Sequence, residues 1–178
     1  MSYDIYLKKD DELVRVPPFS GGGIQQVEPI RFADGIEYAE IPNEEAWINV
    51  TWNYGAHFRE HLGEEGIVGL DGKTGAETAE ALQAGADALG TEKYTGPWYT
   101  WQVSAILGGN IPMEYQGWTT EELNNPDNWD EVSVLIGKGL VYDTGGYWAP
   151  MPGNAGWVLA LLAHWAKNNP DAVWEVHT

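Results

Sequence analysis

The sequence has no cysteine, which excludes disulfides, thiolate nucleophiles and cysteine-ligated zinc or iron–sulfur sites in one step. Basic residues are scarce as well. Nine Lys and Arg stand against 27 Asp and Glu, giving a formal net charge of −18 and a pI near 4.3. So negative a surface repels phosphate backbones and anionic lipid, and no nucleic-acid or membrane partner is expected. No run approaches the length of a membrane span, and no basic, apolar leader opens the sequence, so a cytoplasmic protein is expected. The acids are scattered, their longest unbroken run being Asp10-Asp11-Glu12. Keeping a tryptophan-rich protein dissolved explains them more simply than imitation of DNA, although an acidic protein that binds and inhibits a host protein stays in view.

What is present is aromatic and apolar. The 178 residues include ten Trp and nine Tyr, with 43% hydrophobic residues overall, which excludes disorder over most of the length and fits one domain, residues 1–178. Short strands are predicted at Tyr3–Leu7, Leu13–Val16, Val27–Phe32 and Ile36–Ile41, the last two joined by a tight turn at Ala33-Asp34-Gly35. Pro17-Pro18 and Gly21-Gly22-Gly23 punctuate them as loops. From Ala46 to Tyr54 the residues alternate. Ala46, Ile48, Val50, Trp52 and Tyr54 fall on one side and Trp47, Asn49, Thr51 and Asn53 on the other, which predicts a strand with one core face and one polar face.

Gly55–Leu62 reads as two helical turns stopped by Gly63. A stronger helix is predicted from Thr74, with Glu77 closing a reciprocal capping box, to Gly90. Locally ordered segments are expected at Trp98–Leu107 and Val132–Tyr142. A last helix begins at Asn154, carries Trp157, Val158, Leu161, Leu162 and Trp165, and stops at Asn168-Asn169-Pro170 before a short tail with Val173, Trp174 and Val176. The expected class is α+β, a mainly antiparallel sheet with two or three helices packed on it.

Four clusters have chemistry to offer. Asn49, Thr51 and Asn53, continuing into Tyr54 and His57 and bordered by Trp47, can read ribose hydroxyls or base edges while the rings stack, or can be an ordinary solvated sheet face. Gly72-Lys73-Thr74-Gly75 opens the capped helix, where free N–H groups and Lys73 would suit a phosphate. It is not a P-loop, since Ile67 stands where that motif requires glycine. His57-Phe58-Arg59-Glu60-His61 spells H-x-x-E-H, whose two histidines share a helix face and would bind zinc in a metal-dependent hydrolase. A neutral hydrogen-bonding role for His57 is the simpler expectation. Tyr147-Trp148 offers ring faces just before Asn154 and the start of the last helix.

Trp47-Ile48-Asn49-Val50-Thr51-Trp52-Asn53-Tyr54, His57-Phe58, Gly72-Lys73-Thr74-Gly75, Tyr147-Trp148, Gly153-Asn154-Ala155 and Pro170-Asp171-Ala172-Val173-Trp174 together resemble a group of small phage- and prophage-encoded proteins. That group shows a W-x-N-x-T-x-N-Y strand, a G-x-T-G helix start and a terminal G-N-A helix closing on P-D-x-x-W. The resemblance covers about residues 44–90 and 145–175 and makes residues of about 95–145 an insertion relative to shorter members. By analogy with unrelated phage proteins of this size, it implies a nonenzymatic protein that sequesters an ADP-ribose-like or cyclic nucleotide immune signal, with no cofactor, no metal and no catalytic residue. Asn49, Thr51 and Asn53 would read the ligand, Trp47, Tyr54 and Trp148 would stack on it, and Lys73 with Thr74 would meet its phosphate. A site shared between copies in a homo-oligomer suits so small a chain. A carbohydrate-binding module would also explain the tryptophans, but the missing leader argues against it.

Overall fold

The computed structural model describes residues 2–19, 27–32, 35–40, 43–102 and 112–178, with backbone alone for 17–19, 27–32, 35–40 and 43–44. The Gly21-Gly22-Gly23 loop, Ala33-Asp34 of the expected hairpin turn and residues 103–107 lie outside them. The fold is α+β, and every strand pairing described is antiparallel. The chain divides into two compact units, Met1–Lys93 with Pro150–Thr178, and Tyr94–Ala149.

In the first unit the central strand is β1 (Ser2–Lys9), followed by β2 (Glu12–Leu13) across a turn in which Asp10 and Asp11 both take left-handed φ values of 54° and 65°. Two successive left-handed residues match the twist of a two-residue hairpin, and Asp is among the few side chains that tolerate that region. Further strands are β3 (Arg15–Phe19), β4 (Val27–Phe32), β5 (Gly35–Glu40), β6 (Asn43–Glu45) and β7 (Trp47–Thr51). β3 pairs with β6 and β4 with β5 as separate two-stranded ribbons. β1 pairs with β7 over Ser2–Tyr6 and with a strand at the far end of the sequence, Val173–His177, over Asp4–Lys8. The tail after the last helix is therefore a strand of the main sheet.

Period two sorts this sheet. Tyr3, Ile5, Leu7, Ile48, Val50, Trp174 and Val176 are buried, while Ser2, Asp4, Tyr6, Lys8, Trp47, Asn49 and Glu175 are half-buried on the opposite side. Each large apolar side chain hidden this way contributes roughly 1.5–3 kcal/mol relative to exposure. The buried side meets α1 (Gly55–Leu62) and α2 (Gly75–Leu89). Phe58 of α1 lies edge-on to Tyr3 and Tyr54, with ring centroids 6.2 and 6.1 Å apart, and Trp174 Nε1 donates to Thr78 Oγ1 of α2 at 2.8 Å. α2 starts and stops where the sequence indicates, with Thr74 as N-cap and Gly90 as C-cap.

The second unit holds β8 (Tyr99–Trp101), α3 (Thr120–Leu123), α4 (Trp129–Gly137) and β9 (Val141–Asp143), with β8 paired to β9. Leu123, Val132, Leu135, Leu140 and Val141 form its own core, against which Tyr99, Trp101, Tyr115 and Trp118 pack. The last helix, α5 (Pro152–Asn168), returns to the first unit and runs antiparallel to α2, leading to β10 (Val173–His177). Glycines allow this close approach. A Cβ on Gly75 would lie 2.5 Å from the Asn169 carbonyl oxygen and 2.7 Å from that of Ala166, and one on Gly156 would drive into the Gly90 carbonyl. Among the described residues no helix is long and apolar enough to cross a membrane.

Three expectations need correction. Pro17-Pro18, read as a loop, lies within strand β3. The strand read as Ala46–Tyr54 ends at Thr51, whose hydroxyl accepts from the Asn53 N–H at 3.3 Å and caps a 3-10 turn, Trp52–Tyr54. That turn breaks the alternation: Thr51, expected on the polar side, is buried and Trp52, expected in the core, is 39% exposed, while Tyr54 is buried as its side predicted. The last helix begins two residues before Asn154, because Pro152 occupies its first turn, where the missing N–H costs nothing. Asn154 is thus a buried first-turn residue whose N–H points to the Met151 carbonyl at 3.1 Å.

Candidate functional site

The glycine–lysine turn before α2 was expected to cradle phosphate, and its donors have other partners. The Thr74 N–H donates to Glu77 Oε2 at 2.7 Å, Gly75 N–H to the Ala172 carbonyl at 2.8 Å and Ala76 N–H to that of Pro170 at 2.9 Å. Glu77 N–H returns to Thr74 Oγ1 at 3.3 Å, completing the capping box. These bonds from the Thr74 backbone and hydroxyl hold the Glu77 carboxyl below the usual carboxylate range, with Lys73 adding a smaller pull. A carboxylate of the chain itself already sits where a phosphate would. Just before the helix, Gly72 N–H donates to the Trp174 carbonyl and Trp174 N–H to that of Lys73, both at 2.9 Å, and Thr74 bridges Val173. Gly72-Lys73-Thr74-Gly75 and Pro170-Asp171-Ala172-Val173-Trp174 are each other's partners, and Lys73 itself is exposed.

The residues nominated around β7 separate. Tyr54 is buried against Phe58, where no ligand ring reaches it, and Thr51, 1% exposed, is spent on its cap. Asn53 is exposed on the 3-10 turn beside Trp52, whose Nε1 donates to the Ser2 carbonyl at 3.0 Å. His57 Nε2 lies 3.0 Å from the Pro150 carbonyl oxygen, a bond its Nε2–H tautomer makes, and it joins the start of α1 to the approach to α5, where Asn154 lies. Of the H-x-x-E-H segment, Glu60 is exposed and His61 half-buried. Among the described residues no group of three or more His, Asp or Glu side chains is placed to hold a metal ion. Tyr147 and Trp148 belong to the second unit, on a 3-10 turn at Gly146–Trp148, half-buried with their rings at 78° and 6.1 Å.

Trp47 and Asn49 do stand together, and they stand in company the sequence did not announce. Tyr6 of β1 lies directly opposite Trp47, their rings stacked at 6.3 Å and 24°, and on its other side the His177 ring is 5.4 Å away. Trp47, Tyr6 and His177 thus form a row of rings across three strands, on the side of the sheet away from the core. Asn49 lies opposite Asp4, and its Nδ2 donates to Asp4 Oδ1 at 2.6 Å and to Ser2 Oγ at 2.9 Å. Lys8 extends over the Tyr6 ring at 5.5 Å while its ammonium bonds Glu175 Oε2 at 2.8 Å, and His177 Nε2 meets Glu175 Oε1 at 3.1 Å. The Lys8 bond holds the Glu175 carboxyl below the ordinary range, with His177 contributing less. Beyond Lys8 a cavity of about 310 Å³ is lined by Lys8, Asp10, Asp11, Val173, Trp174 and Glu175.

Sequence reasoning missed Tyr6, Asp4, Lys8, Glu175 and His177. The alternation Ser2, Asp4, Tyr6, Lys8 was a signal for the outward set on β1. What brings these residues beside Trp47 is a register between segments more than 40 residues apart, and for β10 nearly the whole chain apart. The chain matches no protein-family model, no curated protein and no solved structure.

Proposed function

We propose that this chain is a nonenzymatic binding protein that captures a small nucleotide-derived ligand, stacking the ligand's base on the outer face of its main sheet. The observation that supports it is the Trp47–Tyr6–His177 row, with Asn49 and Asp4 alongside. Flat rings flanked by an amide and a carboxylate are what a base with attached hydroxyls needs for stacking and orientation. Stacking of this kind is worth about 1–3 kcal/mol per base. The resemblance to phage proteins makes bacterial immune signals the first ligands to try, and sequestering such a signal would counteract host defence.

The test is a thermal-shift titration with ADP-ribose isomers and cyclic dinucleotides. A ligand at a hundredfold excess over its Kd adds about 2.7 kcal/mol, a rise of several degrees for a protein of this size. Tyr6→Ala should abolish the shift and Tyr6→Phe should keep it. A flat response to every compound at saturating concentration overturns the proposal.

A second reading, an acidic protein that binds and inhibits a host protein, draws on α4. Trp129, Val134 and Ile136 are exposed there beside Asp130 and Glu131, which suits a basic amphipathic partner. Binding of a Lys-rich amphipathic peptide that Trp129→Ala and Val134→Ser leave unchanged would exclude this face.

A further inference from the structure

We infer that the outer sheet face recognises the ring and ribose of its ligand and leaves the phosphates in solvent, an inference that rests on the binding function just proposed. The argument begins with the charges on that face. Among the described residues the one ammonium close to the rings, Lys8, is already bonded to Glu175 at 2.8 Å, so a phosphate arriving there would have to displace a carboxylate. The adjoining cavity shares Lys8 and Glu175 with the ring row and adds Asp10 and Asp11, so three carboxylates line it against a single ammonium. Like charges within a few ångströms oppose a phosphate wherever salt does not screen them. The other anion site expected from the sequence, the start of α2, spends the N–H groups of Thr74, Gly75, Ala76 and Glu77 on partners within the chain.

The same groups suit hydroxyls. An ionised carboxylate is an acceptor only, and two neighbouring sugar hydroxyls can both donate to it. That is how an acidic side chain holds ribose in dinucleotide-binding folds. Asp4 is placed for this role: it is half-buried, one residue pair along the strand from Tyr6 and Trp47, and its Oδ1 is oriented by Asn49 Nδ2 at 2.6 Å. A base stacked on Tyr6 and Trp47 would bring its ribose to Asp4 and Asn49 and turn its 5′ substituent outward, away from Asp10, Asp11 and Glu175.

The experiment is calorimetric titration of the full chain with adenosine, guanosine, their 2′-deoxy forms and their 5′-diphosphates, at 10 and 150 mM salt. Over that range the screening length falls from about 30 to about 8 Å. At low salt the better-bound nucleoside is expected to bind at least as tightly as its diphosphate. Loss of the 2′-hydroxyl should weaken it about tenfold, the loss of one charge-assisted hydrogen bond. Added salt should strengthen diphosphate binding, the reverse of the usual trend, and Glu175→Gln should narrow the gap between diphosphate and nucleoside. A diphosphate that binds more than tenfold tighter than its nucleoside, or that weakens as salt rises, overturns this inference and leaves the binding function standing. If none of the nucleosides or nucleotides binds, this inference falls, while the binding function stands or falls with the ADP-ribose and cyclic-dinucleotide titration.

Discussion

Gly156→Ala should destabilise the protein, although the same change in a free helix stabilises it. Alanine is favoured over glycine inside a helix by about 1 kcal/mol. Gly156 is buried at the crossing of α5 on the end of α2, and a Cβ there would drive into the carbonyl oxygen of Gly90 and stand 2.9 Å from the Leu89 Cβ. A backbone carbonyl cannot rotate aside as a flexible side chain can, so the start of α5 must lift from α2. Overpacking of this kind costs about 1–3 kcal/mol. With part of the helix gain set against it, the net loss is about 1–2 kcal/mol. For a chain of this length that is a fall in Tm of roughly 2–8 °C. Gly137→Ala, in the last turn of α4 with nothing within 4 Å of its would-be Cβ, is the control and should leave Tm level or slightly raised. The assay is urea unfolding of both variants and the parent, in which Gly156→Ala lowers the midpoint without changing the slope. A Gly156→Ala protein as stable as the parent would refute the close approach of the two helices.

Thr74→Ala should cost about 1 kcal/mol through loss of the N-cap. Because the Glu77 carboxyl is held below its ordinary range by the Thr74 backbone and hydroxyl, its contribution is complete above the unfolded carboxylate value of about 4.3 and is lost as pH falls through the lower folded value. The difference in Tm between the parent and Glu77→Gln should therefore shrink in acid, and a pH-independent difference would contradict the cap. Thr78→Val removes the acceptor of the buried Trp174 Nε1 and should cost about 1–3 kcal/mol, read from urea melts followed by tryptophan fluorescence. Excision of Tyr94–Ala149, with a short glycine linker in its place, should leave a protein that unfolds in one cooperative step. The Glu92 carbonyl already lies against Gly153, so the two ends to be joined are close within the first unit. Failure of the excised chain to fold would show that the first unit depends on the second.

Local chemistry was legible in the sequence wherever a residue's partner lies within a turn of it. Thr74 with Glu77, and Gly90 at the other end, fix α2 because cap and helix are neighbours in the chain. The strand at Ala46–Tyr54 was misjudged over its last three residues by the same kind of chemistry. The Thr51 hydroxyl competes for the Asn53 N–H, and a 3-10 turn replaces the last strand pairs, so the residues that looked like one continuous polar face come apart. Pro152 shifted the start of α5 for an equally local reason. The ring row was not legible. Val173, Glu175 and His177 alternate with Trp174 and Val176, as a strand would, but five residues after a helix stop read as a tail, and nothing in them names Tyr6 as a neighbour.

The glycine–lysine turn shows how a motif changes meaning between one dimension and three. Taken by itself, Gly72-Lys73-Thr74-Gly75 offers an anion a helix start and a cation, and that reading assumes the N–H groups face solvent. Here the carbonyls of Pro170, Ala172 and Trp174 arrive from the far end of the chain and take the Ala76, Gly75 and Gly72 N–H groups, while Glu77 takes that of Thr74. Gly75 is needed because the backbone of α5's last turn comes so close that a Cβ would meet the Ala166 and Asn169 carbonyls. The turn therefore works as a joint that fixes the approach to β10, and with it the register that carries Glu175 and His177 to Tyr6. Two of the motifs read in the sequence, at residues 72–75 and 170–174, are in physical terms one structural unit. Their joint occurrence in a sequence requires the joint alone, and the ligand question moves to the outward residues of β1, β7 and β10.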